Sequence, residues 1–186
     1  MEHGAGSRPS AWVARFAPLI KPGGAVLDLA CGSGRHLRWL ATQGFALTGV
    51  DRDAAAVEPL RDVGEIIVAD IESGPWPLTD RQFDAVVVTN YLWRSLFPAI
   101  RASLAPGGVL IYETFADGHQ TVGRPSRPDF LLQRGELLRA FGDLRVVAFE
   151  DGFDPEPERF VQRLAAVLES PDTAGAARWG LAGPAR

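Results

Sequence analysis

The sequence predicts an α/β fold, a mostly parallel sheet with helices on both faces. Three observations carry this. Five short runs rich in Val, Ile and Leu recur through the first two thirds of the chain: AVLDLA (25–30), ALTGVD (46–51), EIIVAD (65–70), FDAVVVTN (83–90) and GVLIYETF (108–115). Near-continuous apolar runs of this length suit strands covered on both faces. Between them, GRHLRWLATQG, DAAAVEPLRDVG and RSLFPAIRASLAPGG space their apolar residues as helices do, with glycine marking the ends. Strand and helix therefore alternate, which calls for right-handed crossovers.

Ahead of the first strand, SAWVARFAPLI reads as a helix capped by Ser10, with Trp12, Phe16 and Leu19 on one side. After the fifth strand, ADGHQTVGRPSRPD is a connection longer than usual. FLLQRGELLRAFG then predicts a helix and DLRVVAFEDG a sixth strand. The segment ERFVQRLAAVLE fits two readings. Phe160, Leu164 and Leu168 have helical spacing, while RFVQRLAAV equally suits a strand returning beside the sheet. The tail from Pro171 is small, polar and rich in Gly and Pro, so residues 171–186 are expected to be flexible.

Size and composition narrow the function. With 186 residues, 46% hydrophobic and 23% charged, the chain suits one domain over residues 1–170. A net charge of −4 gives no reason to expect a polyanion, so DNA is not an expected partner. The lone cysteine, Cys31, has no partner for an internal disulfide, and MEHGAGSRPS lacks the features of a secretory signal. No apolar run approaches the roughly 18 residues that cross a bilayer. These points predict a cytoplasmic chain with no membrane association.

The stretch VLDLACGSGRHL (26–37) places a Gly-rich turn between the first strand and its helix. Gly32 and Gly34 let the backbone turn sharply and let a ligand approach, and the helix start offers free N–H groups. Asp51 ends the second strand, where an acid can accept from ribose hydroxyls. Asp70 ends the third strand, and Asn90 with Tyr91 ends the fourth. Polar groups at successive strand ends converge on the crevice where open α/β sheets bind ligands. Cys31 has no paired base and reads as a small buried residue of the turn. His36 opens the first crossover helix, where local capping or solvent contact is expected.

Over residues 26–167 these motifs resemble the class I S-adenosylmethionine-dependent methyltransferases. VLDLACGSGRH is similar to their first motif, GVDRD to the second, VADIES to the third, FDAVVVTNYL to the fourth and LAPGGVLIYETF to the fifth-strand signature. Ala30 stands where a nicotinamide-binding turn would carry its first glycine. The resemblance implies a Rossmann-like seven-stranded sheet whose last strand is antiparallel, which would make RFVQRLAAV a strand. It also implies S-adenosyl-L-methionine as cofactor, S-adenosyl-L-homocysteine as product, and no metal. Carried over by position, Asp28 would approach the methionine moiety, with Ala30, Gly32 and Gly34 making room. Asp51 would hold the ribose, Arg52 would flank the adenine, and Asp70 would accept from its amino group. Ile71 would lie against the ring, and Asn90 would line the methionine end.

The acceptor is less determined. TNYLW lacks the Pro-Pro-Tyr/Phe element of exocyclic-amine DNA methyltransferases, and YLWRSLFP lacks the paired glutamates of protein arginine methyltransferases. The short architecture is loosely similar to type 11/12 and tellurite-resistance-type methyltransferases, which implies a small-molecule acceptor. Alternatives are a protein or RNA acceptor reached through a partner subunit, and a non-catalytic domain that binds the cofactor. Candidate catalytic residues are Tyr91 and His119, the latter a base or a solvated loop residue. Arg94, Glu113 and Arg124 are candidate substrate contacts, with Arg127 as a further anion-binding arginine or a surface one. Thr114 lies near the donor, and Trp93, Phe115 and Phe130 are candidate pocket walls. A lid is expected from the helix at residues 10–20 and the segment 116–129.

Overall fold

The computed structural model describes residues 8–171 and 178–181. Ser10 starts the chain's first helix: its Oγ accepts from the Trp12 N–H at 3.1 Å, and α1 (Ala11–Phe16) follows. The chain continues through β1 (Ala25–Leu29), α2 (Arg35–Thr42), β2 (Ala46–Asp51), α3 (Ala54–Val57) and β3 (Glu65–Val68). Then come β4 (Phe83–Thr89), α4 (Phe97–Ala102), β5 (Leu104–Phe115), α5 (Glu136–Ala140), β6 (Arg145–Pro155) and β7 (Glu158–Val167). Asp53 caps α3 by accepting from the Ala55 and Ala56 N–H groups, and Pro59 tightens the chain beyond it into a 3-10 turn.

The seven strands form one sheet in the order β3-β2-β1-β4-β5-β7-β6. Six run in one direction. β7 is antiparallel to both neighbours, entering between β5 and β6 with Glu113 opposite Arg163. The ambiguous segment is therefore a strand, as the resemblance implied. Its burial shows no alternation because sheet neighbours and helices cover it on all sides.

The central strands sort their side chains to two cores. Leu27, Leu29, Val86 and Val88 join Ile100 of α4 and Leu137 of α5 on one face. Val26, Ala85 and Val87 join Trp12, Phe16, Leu37 and Leu40 from α1 and α2 on the other. Helices thus cover both faces, as predicted. Leu19 is only half-buried, and Ile20 fills the core beside it.

The expected helix over residues 130–142 is shortened to α5. Leu132 donates its N–H to the Phe115 carbonyl and accepts from the Asp117 N–H, both at 2.9 Å, which draws it into a bridge beside the end of β5. Helical geometry begins only after Gly135. Most of the tail expected to be flexible, 172–177 and 182–186, lies outside the described residues. Trp179 packs against the α1 face, and the Leu181 carbonyl accepts from Arg15 at 3.3 Å. No helix among the described residues is long and apolar enough to cross a membrane.

Candidate functional site

From β1 the chain runs outward through β2 to β3, then returns to the far side of β1 with β4. The order reverses there, so the strand ends around β1 and β4 form a crevice. The turn after β1 is built for close approach. Ala30 at φ +55° and Gly32 at φ +52° take the left-handed conformation, and Gly34 at φ +76° opens α2. A non-glycine residue held there is strained backbone of the kind found at functional sites.

Asp51 ties this turn to β2. Its Oδ2 accepts from the Gly32 N–H at 2.7 Å and its Oδ1 from the Asp53 N–H at 3.0 Å. Asp70 accepts from the Glu72 and Ser73 N–H groups, which hold its carboxyl below the usual range. Ala30, Asp51, Arg52, Asp70 and Ile71, all predicted cofactor contacts, line one cavity of about 190 Å³ with Ala69, Glu72 and Tyr91. Beside it lies a second cavity of about 230 Å³ that shares Glu72 and Tyr91. Leu92, Phe115, Pro125 and Phe130 give it apolar walls, and Asn90 and Thr114 add neutral polar groups.

Asp28 lies beneath the turn, 1% exposed, and its Oδ2 has no hydrogen-bond partner. Burial pushes its carboxyl up to about 7, opposed by the positive charge of Arg35. Between about pH 4 and about pH 7 the folded protein therefore keeps a proton that the unfolded chain releases, and stability falls as pH rises through that window. Asp28→Asn removes this dependence. In urea titrations, the unfolding free energy of the variant minus that of wild type should grow from about pH 4 to about pH 7, by up to roughly 4 kcal/mol. A flat difference would mean that Asp28 is ionised in the folded state.

A family model described as a methyltransferase domain matches residues 1–152. The chain belongs to the methyltransferase domain family. Its sheet is that of the class I S-adenosylmethionine-dependent members. TehB from Haemophilus influenzae is similar in structure at 18% identity and a TM-score of 0.67, over 83% of this chain and 60% of that one. The chain thus spans 60% of the length of that TehB. A TehB-like methyltransferase from Corynebacterium glutamicum is similar at 19% identity and a TM-score of 0.60, over 87% of this chain and 89% of that one. Coclaurine N-methyltransferase, bound to N-methylheliamine and S-adenosylhomocysteine, is similar at 14% identity and a TM-score of 0.62, over 84% and 70% of the two chains. No curated protein sequence matches the chain.

Other predicted site residues of the methyltransferase domain are held away from the cavities. Arg94 donates to Glu136 at 2.6 and 3.0 Å and to the carbonyls of Asp129 and Leu131. Its guanidinium thus braces α5. Glu113 is 1% exposed and accepts from Ser10 Oγ and Arg163, with Arg159 at 3.5 Å. It is a buried anchor of α1 and β7, outside the cavity linings. Arg124 is exposed, and its carbonyl oxygen lies 3.0 Å from His119 Nε2. That nitrogen must carry the proton, because a carbonyl only accepts. His119 is 4% exposed and stacks on Phe115 at 4.3 Å, a layer back from the cavity that Phe115 lines. Tyr91 does face both cavities, with its hydroxyl buried beside the Glu72 carboxyl. Burial pushes that phenol far above its ordinary range, so it stays protonated at neutral pH. Trp93 lines neither cavity.

Two buried residues behave otherwise than a helix-opening histidine and a reactive thiol would. His36 is 2% exposed, and its Nε2 accepts from the Ser10 N–H at 3.1 Å, so solvent contact is excluded. Burial pushes its imidazole down to about 3, which keeps it a neutral acceptor. Cys31 is buried and its thiol is pushed up to about 12, in keeping with a packing role. Glu72 escaped sequence reasoning; its position two residues beyond the strand-end Asp70 was the available signal. Among the described residues no group of three or more His, Cys, Asp or Glu side chains is arranged to hold a metal ion.

Proposed function

We propose that this domain transfers the methyl group of S-adenosylmethionine to a small-molecule acceptor. The observation that carries the proposal is the pair of adjoining cavities, one lined by the strand-end acids and one by aromatic walls. The residues present fit the cofactor. Asp51 offers a carboxylate at the end of β2 for ribose hydroxyls, and Asp70 offers one for an exocyclic amine. Ile71 and Arg52 can flank a flat ring. The unpartnered Oδ2 of Asp28 beneath the Gly-rich turn suits a cationic donor such as the methionine ammonium. When bound, the cofactor supplies an electrophilic methyl on a sulfonium. Methyl transfer is an in-line displacement, so the chain's task is alignment and exclusion of water.

Titration with S-adenosylhomocysteine by calorimetry tests the reading. Wild type should bind at micromolar affinity, and Asp51→Ala should weaken binding by about 1.4 kcal/mol or more, about tenfold. The variant loses the ribose contact and also releases the Gly32 N–H that shapes the turn. Failure of wild type to bind would overturn the proposal. Of the expected lid, this reading keeps the segment 116–129, which closes over the second cavity, and drops the helix at residues 10–20, because Trp12, Val13 and Phe16 are buried in the core. Subtilisin should cut this segment more slowly once S-adenosylhomocysteine and acceptor are bound. Equal cutting would argue against closure.

A further inference from the structure

The walls of the second cavity select for charge as well as shape. Glu72 is the one residue lining it that carries an acidic or basic side chain. The nearby arginines do not offset it: Arg94 is held by Glu136, and Arg127 donates to Asp129 at 2.8 Å while lying 5.3 Å over the ring of Phe130. Arg52, the cation that pairs with Glu72, stands 3.9 Å away with its side chain 69% exposed, where an ion pair is weak. Phe115 and Phe130 add aromatic walls, the first ring stacked on His119 and the second lying under Arg127. Asp51 and Asp70 line the adjoining cavity, so no basic side chain there other than the exposed Arg52 favours an anionic acceptor.

We infer that the acceptor is a small amine on an apolar or aromatic body, with its nitrogen held at Glu72. This rests on the methyl-transfer reading above and narrows its substrate class. At about 230 Å³ the cavity falls below the roughly 300–1,000 Å³ of drug-sized pockets, which keeps the acceptor small. An ammonium acceptor first passes a proton to the Glu72 carboxylate. The nitrogen lone pair then attacks the methyl carbon, forming the N–C bond. The C–S bond breaks with its electron pair going to sulfur, which becomes a neutral thioether. The new ammonium carries the positive charge, and the proton on Glu72 leaves to solvent.

The probes are 2-phenylethylamine, 2-phenylethanol and 3-phenylpropionate, matched in their apolar body. Each is titrated into the full chain saturated with S-adenosylhomocysteine, and each is then incubated with S-adenosylmethionine and followed by mass shift. The amine should bind at least tenfold more tightly than the carboxylate and alone gain a methyl group. Glu72 lines the cofactor cavity too, so Glu72→Gln should remove that preference and weaken the amine at least tenfold more than it weakens S-adenosylhomocysteine. Equal or tighter binding of the carboxylate overturns the inference, as does binding of no probe at millimolar concentration or methylation of the alcohol alone. An equal loss of S-adenosylhomocysteine and amine binding in Glu72→Gln also overturns it, since Glu72 would then serve the cofactor cavity. Absence of S-adenosylhomocysteine binding by wild type instead defeats the methyl-transfer reading itself.

Discussion

Glu113→Ala should lower the unfolding free energy by about 3–5 kcal/mol, the usual cost of removing one partner from a buried ion pair. Glu113 is fully buried on β5, and its carboxylate receives Arg163 and Ser10 while Arg159 stands 3.5 Å away. Truncation leaves two guanidinium groups of β7 facing an empty site, and α1 loses the acceptor that holds Ser10 Oγ. Arg163 keeps Asp154 and Glu150 as partners, which bounds the loss. Chemical denaturation of Glu113→Ala, Arg163→Ala and the double variant separates the contributions. The glutamate substitution should cost less in the Arg163→Ala background, because one of the stranded charges is gone. A loss of under about 1 kcal/mol for Glu113→Ala would show that the network is solvated and contributes little.

Gly34→Ala is the second large effect, and it acts on stability and binding together. A Cβ at this residue would lie 2.4 and 2.5 Å from the two Cδ atoms of Leu60, which is fully buried. The backbone adds its own cost, since φ +76° is left-handed and costs an L-residue about 1–2 kcal/mol. With overpacking of about 1–3 kcal/mol, the expected loss is roughly 2–5 kcal/mol. S-adenosylhomocysteine binding should weaken at least as much as in Asp51→Ala, because both substitutions disturb the same turn. Measured in the Leu60→Ala background, Gly34→Ala should lose the overpacking part of its cost and keep the backbone part. No cost in that background would mean the turn tolerates alanine's backbone conformation.

The sheet was legible because buried parallel strands announce themselves as apolar runs and the strand ends carry acids. Asp51, Asp70 and Asn90 read as site residues from position alone, and all three line one or other of the two cavities. Strand-end polarity has two physical causes, however, and sequence does not separate them. Glu113 and Arg94 occupy the same kind of position as Asp51, yet their partners lie 50 and 42 residues onward, at Arg163 and Glu136. Only the antiparallel insertion of β7 sets Arg163 opposite Glu113. The long helix expected over 130–142 failed for a similar reason: its helical spacing is genuine, but Leu132 is captured by the edge of β5. His36 carried no local sign that its acceptor would serve a backbone N–H 26 residues earlier.

The place of β7 in the sheet also governs the order in which the domain can be assembled during synthesis. β6 leaves the ribosome before β7, yet β7 alone links it to the rest of the sheet. A nascent chain ending near Pro155 therefore carries a β5 edge without its neighbour, a β6 with nothing to pair, and Glu113 without either arginine. Completion of the sheet waits for β7 to emerge, so the ion pairs of Glu113, which also holds Ser10 ahead of α1, form only once Arg159 and Arg163 have been made.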